Sequence, residues 1–125
     1  MTHLHVDHTS GMRLLPRATF TCAREEWAAA RRPLAAVKGY VSRHLPPASR
    51  MQLIDIERHG LAYGPFAKTL DLVGDGSIRL LATPGHTPGH LSVLLRVADG
   101  PPVLLAQRRS SARGPVRQVW TVLRR

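Results

Sequence analysis

The chain has 125 residues and a net charge of +10, with 18 Lys and Arg, 8 Asp and Glu, and one cysteine. This length suits one small domain, a lone cysteine excludes a framework of internal disulfide bonds, and no apolar stretch is long enough for a membrane span. The excess of basic residues alone favours a nucleic-acid-binding protein. However, much of this excess lies in residues 106–125, which hold six Arg and no acidic residue, whereas residues 1–105 hold 12 basic and 8 acidic side chains. We therefore expect a cytoplasmic protein without a membrane partner and without nucleic acid as its main partner.

Three histidines and an aspartate lie close together at the start of the chain, in the sequence Thr-His-Leu-His-Val-Asp-His at residues 2–8. Side chains two positions apart on an extended segment project to the same side, so His3 and His5 should face one point. Asp7 and His8 follow where the chain can turn and offer ligands to a neighbouring point. Imidazole nitrogen and carboxylate oxygen are ligands typical of zinc. The motif predicts a metal site, against the alternative of a histidine-rich surface loop or an expression tag.

The segment that follows predicts a mixture of helices and strands. The expected elements are a helical turn at Met12–Leu15, a strand at Ala18–Cys22, a helix over Ala23–Arg32, a second helix after Pro33, and a strand at Met51–Glu57. Residues 58–67 contain Gly and Pro and are expected to form a loop. Gly74-Asp75-Gly76 then joins two hairpin strands, predicted at Thr69–Val73 and Ser77–Ala82.

The apolar side chains of these elements predict which faces are buried. Leu4 and Val6 occupy the positions between the histidines and should point into a core. Leu34, Val37 and Val41 lie three and four apart and should form the buried face of the second helix. Cys22, in its short strand, is expected to be a buried, inert thiol.

A second histidine motif, Thr-Pro-Gly-His-Thr-Pro-Gly-His, covers residues 83–90. Its glycines allow sharp backbone turns and its prolines stiffen the loop, as a preorganised metal site requires. The motif lies between the strand that ends at Ala82 and two further predicted strands, Leu91–Val97 and Pro102–Ala106. Alone it could be an ordinary turn. Together with the first motif it supplies a third imidazole, and we expect His3, His5 and His86 to hold one ion.

These two motifs resemble those of the metallo-β-lactamase superfamily of zinc hydrolases, whose first signature, His-x-His-x-Asp-His, is matched by His3, His5, Asp7 and His8. The second motif, followed by Leu-Ser-Val, is most similar to the branch of N-acyl-homoserine lactone hydrolases, the quorum-quenching lactonases. Glyoxalase II-like thioesterases and other esterases share both motifs. The resemblance implies an α/β fold, here part of the family's αβ/βα sandwich.

The resemblance also implies the roles of individual residues. In this branch the first histidine of the repeated Pro-Gly-His is the ligand, which indicates His86 and leaves His90 as a supporting residue. Asp7 and His8 would belong to a second zinc site, as intact family members hold two zinc ions. Asp7 is in addition the expected catalytic residue, because it lies beside the nucleophilic water and can shuttle a proton.

Two departures from the family pattern lead us to expect a chain truncated at both ends. Family members have strands before the first motif, where this chain has Met1 alone. They also have a bridging aspartate and a last histidine after the strand matched by Pro102–Ala106, whereas no Asp, Glu or His occurs from residue 106 onward. We therefore expect a partial metallo-β-lactamase-like domain at residues 1–105 and an atypical basic tail at residues 106–125. One hypothesis for this tail is out-of-frame translation; the alternative is a real segment that binds phosphate backbones.

The function that follows is hydrolysis of a small-molecule lactone, ester or thioester by a metal-activated water. Because the bridging aspartate and last histidine are missing, we expect one zinc or none and impaired turnover. A non-catalytic remnant of the family and a basic nucleic-acid-binding protein are the alternatives. Without the family's early strands, apolar faces and strand edges would be uncovered, so we also expect marginal stability or aggregation.

Overall fold

The computed structural model describes residues 1–107 and 118–122, and over these residues the chain is mixed α/β, as the sequence predicts. The α-helices are short: α1 (Val6–Thr9), α2 (Arg24–Ala30) and α3 (Ile56–His59). Isolated 3₁₀ turns cover Met12–Leu14, Ala35–Lys38, Ser42–His44 and Ala48–Arg50. The first of these turns lies where a helical turn is predicted.

The strands of the described residues form two sheets. Strands β1 (Phe20–Ala23) and β2 (Met51–Ile54) pair in parallel, and α2 lies in the crossover between them because parallel strands cannot be joined by a tight turn. The larger sheet is antiparallel and its strands are neighbours in chain order. They are β3 (Leu61–Tyr63), β4 (Phe66–Asp71), β5 (Ile78–Ala82), β6 (Leu91–Leu95), β7 (Val103–Gln107) and β8 (Gln118–Val122).

The turn between β4 and β5 confirms the predicted hairpin. Its backbone is fixed by the carboxylate of Asp71, which accepts hydrogen bonds from the amides of Gly74 at 2.9 Å and Gly76 at 2.7 Å. Both glycines have positive φ, which a side chain would disfavour. This tight connection holds β5 in place, and the second histidine motif begins directly after β5.

Two clusters of buried apolar side chains form the core. One packs α2 against the first histidine motif and includes Leu4, Cys22 and Tyr40; the other packs α3 against the large sheet and includes Leu80 and Leu91. Cys22 is a free thiol, as predicted, and burial raises its pKa to about 12. Leu4 has no exposed surface, so the core lies directly beneath the first two histidines.

The prediction of a second helix after Pro33 is wrong. Leu34 adopts a left-handed conformation at φ 61°, and only a 3₁₀ turn follows before Gly39, at φ 91°, reverses the chain. Leu34 and Val37 are 80% and 85% exposed, so the expected apolar face is not buried. The three-and-four spacing is present in the sequence, but the segment between two left-handed residues is too short for a stable helix.

Two smaller predictions are also wrong. Residues 58–67 are not a continuous loop, since they contain β3 and the start of β4, which turn around Gly64. Val6 does not point into the core and is 42% exposed, because α1 begins at this residue and ends the two-residue alternation. Leu4, which precedes the helix, is buried as expected.

The apolar end of the terminal segment pairs with the large sheet. Residues 118–122 form β8 and run antiparallel to β7, with Gln118 opposite Gln107. All six arginines expected to form the basic tail lie outside the described residues, so the tail prediction remains a prediction. Over the described residues, no helix combines the length and apolar character needed to cross a bilayer.

We expect Leu91→Ala to lower the free energy of unfolding by about 2–5 kcal/mol, because Leu91 is buried at the base of the second histidine motif and truncation leaves a cavity. Leu34→Ala removes the same atoms from an exposed position and should change stability by less than about 0.5 kcal/mol. Urea unfolding followed by circular dichroism measures both. Equal losses in the two variants would contradict the assignment of Leu91 to the core.

Candidate metal centre

The first histidine motif is shaped by hydrogen bonds to one carbonyl group. His5 is extended, and α1 begins at the next residue. The His5 carbonyl accepts hydrogen bonds from the amides of His8 and Thr9 and from the Thr9 hydroxyl, at 3.0, 3.1 and 3.1 Å. This single turn of helix folds Asp7 and His8 back toward His3.

The second motif is a closed loop between β5 and β6. Its ends are joined by the Thr83 amide, which donates to the His90 carbonyl at 2.9 Å, and the Gly85 amide donates to the Thr87 carbonyl at 3.1 Å. The Leu91 amide donates to the Thr2 carbonyl at 2.8 Å. Because of this last bond, the loop and the first motif emerge side by side.

Three imidazoles from these two segments converge as predicted. One ring nitrogen each from His3, His5 and His86 lies within 4.8 Å of the others, and the ring centroids are 4.7–4.8 Å apart. An ion with zinc–nitrogen bonds of about 2.0–2.1 Å would draw these nitrogens closer together. Three converging imidazoles are a donor set that could hold a metal ion.

The structure also brings together Asp7 and His8, the predicted start of a second site, but His3 joins them. Ligand atoms of Asp7 and His8 lie within 4.8 Å of each other and of a nitrogen of His3, so His3 belongs to both groups. The His3 and His8 ring centroids are 4.0 Å apart, and the Asp7 carboxylate lies 3.5 Å from His8 Nε2. The sequence predicted two separate ligand sets, whereas here they share one imidazole.

Burial sets the protonation states of His3 and His5. His3 has no exposed surface, and its pKa falls to about 3, first because of burial and then because four other imidazoles surround it. Burial and the nearby His86 also lower the pKa of His5. Both rings are therefore neutral at pH 7, which is the form that binds metal.

The atoms of the centre fit a metal ion. His3 Nε2 is buried and has no hydrogen-bond partner among the described residues. A buried polar atom without a partner is costly unless another group satisfies it, and a divalent ion bound by three neutral imidazoles would do so. His3, His5 and His86 are the residues that would hold this ion.

His90 lies beside this group and outside it. Its Nδ1 is 2.9 Å from the Thr83 hydroxyl, which is in turn 2.9 Å from the Ser92 hydroxyl. The His90 ring centroid is 5.4 Å from that of His3 and 6.1 Å from that of His86. This position suits the supporting role expected of His90.

Two residues that support the centre were not found from the sequence. Glu26, in the first turn of α2, is fully buried and accepts hydrogen bonds from both histidine motifs. The signal was present, because Glu26, Ala29 and Ala30 lie at helical spacing on one face. Gly39 was not singled out, yet a side chain there would lie 3.3 Å from the His5 ring.

Residues 1–105 match the family pattern of the Metallo-beta-lactamase superfamily. The chain therefore belongs to this superfamily, whose members are metal-dependent. This result confirms the family and the mixed α/β fold expected from the two histidine motifs.

The relatives found by sequence include N-acyl homoserine lactonases. The chain is 34% identical over 109 residues to the enzyme named AttM from Rhizobium radiobacter and from Agrobacterium fabrum. It is 44% identical over 54 residues to a gamma-lactamase of Gibberella moniliformis, and this match covers 41% of this chain and 22% of the relative. The match to the AttM proteins covers 83% of this chain and 37% of theirs, so the chain spans just over a third of these relatives.

Similar structures come from the same branch. A variant of B. thuringiensis AiiA with N-decanoyl-L-homoserine at its active site superposes with a TM-score of 0.62 at 26% identity. An N-acyl homoserine lactone hydrolase with the product N-hexanoyl-L-homoserine at its catalytic metal centre gives the same values. Each match covers 83% of this chain and 34% of the other.

We expect His86→Ala to weaken zinc binding by more than about 100-fold, since even residues that only support metal ligands contribute 10–100-fold. His59→Ala, an exposed histidine in α3, is the matched control and should bind zinc as the unaltered chain does. Competition with a chromophoric chelator measures both affinities. Equal affinity of the His86 variant and the control would exclude His86 as a ligand.

Proposed function

We propose that the chain is a zinc-dependent hydrolase of a lactone, ester or thioester, of the acyl-homoserine lactonase type, with impaired turnover. The observation that carries this proposal is that His86 converges with His3 and His5 from a distant part of the sequence. One ring nitrogen of each residue lies within 4.8 Å of the other two. The names of the similar proteins support a lactone as the substrate. Among carbonyl substrates, a small cyclic ester is therefore our first choice.

Each residue of the centre has a proposed role. Zinc, when bound, would polarise the substrate carbonyl and lower the pKa of water to about 7. His3, His5 and His86 would hold the metal. The Asp7 side chain is 62% exposed and adjoins the centre through His8, so it can accept a proton at its carboxylate and pass it to solvent. His90, held by Thr83, supports the ring of His3.

We propose one zinc at most in this chain. The two ligand groups share His3, and after His3 is assigned to the first ion only Asp7 and His8 remain for a second. No Asp, Glu or His occurs in residues 106–125 to complete that site. Three protein ligands with an open position are a working catalytic arrangement, so a single ion could support slow turnover.

We further propose that residues 106–125 are a segment distinct from residues 1–105 and arise from out-of-frame translation. The family match ends at residue 105, although β7 continues to Gln107, so the character of the sequence changes within a strand. Gln-Arg-Arg at 107–109 can be encoded by codons whose shifted frame reads Ser-Asp-Ala, which would supply the missing aspartate. Reading the gene tests this idea, and a shifted frame without an aspartate there would contradict it.

The zinc-loaded chain should open the ring of an N-acyl homoserine lactone, and Asp7→Asn should slow it by about 10²–10⁴-fold, the usual contribution of a general acid or base. Asp99→Asn alters an exposed carboxylate far along the sequence and serves as the control. A pH-stat measures ring opening, and metal analysis measures the zinc content. Folded protein with neither zinc nor turnover would favour the non-catalytic remnant. If the chain binds zinc and Asp7→Asn opens the lactone ring as fast as the unaltered chain, only the proton-transfer role of Asp7 is excluded.

A further inference from the structure

The carboxylate of Glu26 lies in the core beneath the histidine motifs. Glu26 has no exposed surface, whereas the preceding residue, Glu25, is exposed. Glu26 shares the buried face of α2 with Ala29 and Ala30, so the helix directs this carboxylate inward. A carboxylate is rarely buried unless its oxygens are satisfied by donors.

Both donors come from the segments that carry the metal ligands. Oε1 accepts a hydrogen bond from the Leu4 amide at 2.9 Å, and Oε2 accepts one from the Gly89 amide at 3.1 Å. Leu4 lies between His3 and His5, and Gly89 lies between His86 and His90. The two donors are 22 and 63 residues from Glu26 along the chain, and one side chain therefore joins both motifs.

The second motif lies directly against the backbone of α2 at this point. A Cβ atom at Gly89 would lie 2.3 Å from the Glu26 backbone nitrogen and 2.7 Å from its Cα. These atoms cannot move without shifting the helix, so only glycine fits. The close approach brings the Gly89 amide within reach of Oε2.

The negative charge of Glu26 also acts on its surroundings. Burial, and then the neighbouring Glu26 carboxylate, raise the pKa of the Tyr40 hydroxyl, which stays protonated. The Tyr40 ring packs edge-on against His5, with centroids 4.8 Å apart. The Tyr40 side chain is therefore a second link between Glu26 and the first motif, besides the hydrogen bond from the Leu4 amide.

We propose that Glu26 is a positioning residue that fixes the first histidine motif relative to the second, and so sets the separation of His3 and His5 from His86. This inference rests on the proposed metal centre. Hydrogen bonds from amides to a carboxylate are stronger than those between neutral groups, and a buried pair of them restricts both segments. Metal ligands that are already in place bind with less loss of conformational entropy.

The test compares Glu26→Gln with Glu25→Gln in the full chain. A carboxamide has one acceptor oxygen and one NH₂ donor, so either orientation places a donor against the Leu4 or the Gly89 amide. We expect Glu26→Gln to bind zinc about 10–100-fold more weakly and to shift the visible absorption bands of the Co²⁺-substituted protein. Glu25→Gln should match the unaltered chain in both measurements.

Unchanged affinity and an unchanged Co²⁺ spectrum in a folded Glu26→Gln protein would overturn the positioning role. Failure of the unaltered chain to bind zinc would instead overturn the proposed metal centre, and the positioning role with it. If Glu26→Gln does not fold, hydrogen exchange in the unaltered chain decides. Zinc should slow exchange at the Leu4 and Gly89 amides together, and zinc binding that leaves both rates unchanged would contradict the inference.

Discussion

The burial of His3 among other imidazoles is the constraint on which the site depends. Its ring has no exposed surface, and four other histidine rings have centroids within 5.4 Å of it. A positive charge on His3 would be both desolvated and repelled, so its pKa is lowered. His3 is therefore neutral at pH 7, and its buried Nε2 has a lone pair that a metal ion can accept.

The scaffold around this centre is built mainly from short-range connections. The strands of the large sheet follow one another in chain order, and the second histidine motif is simply the connection between β5 and β6. The first motif is joined to it through the hydrogen bond between Thr2 and Leu91 and through Glu26. A few long-range bonds thus place residues from distant parts of the sequence at one point.

The convergence of the three candidate imidazoles could be predicted from the sequence because their chemistry and spacing are local. An extended His-Leu-His places two rings on one side, and Pro-Gly-His presents a third on a stiff loop. The second helix could not be excluded in this way, since left-handed φ at Leu34 is not visible in a three-and-four spacing. Likewise Glu26 reads as a surface charge until the packing of α2 is known.

The position of Cys22 has a practical consequence. Its thiol is buried in the same cluster as Leu4, and its pKa of about 12 leaves almost no thiolate at neutral pH. The native fold therefore shields the sulfur from alkylating reagents and from aerial oxidation, and keeps it from competing with imidazole for soft metals. Reaction of this sulfur with a maleimide would report opening of the core, which makes Cys22 a built-in sensor of global unfolding.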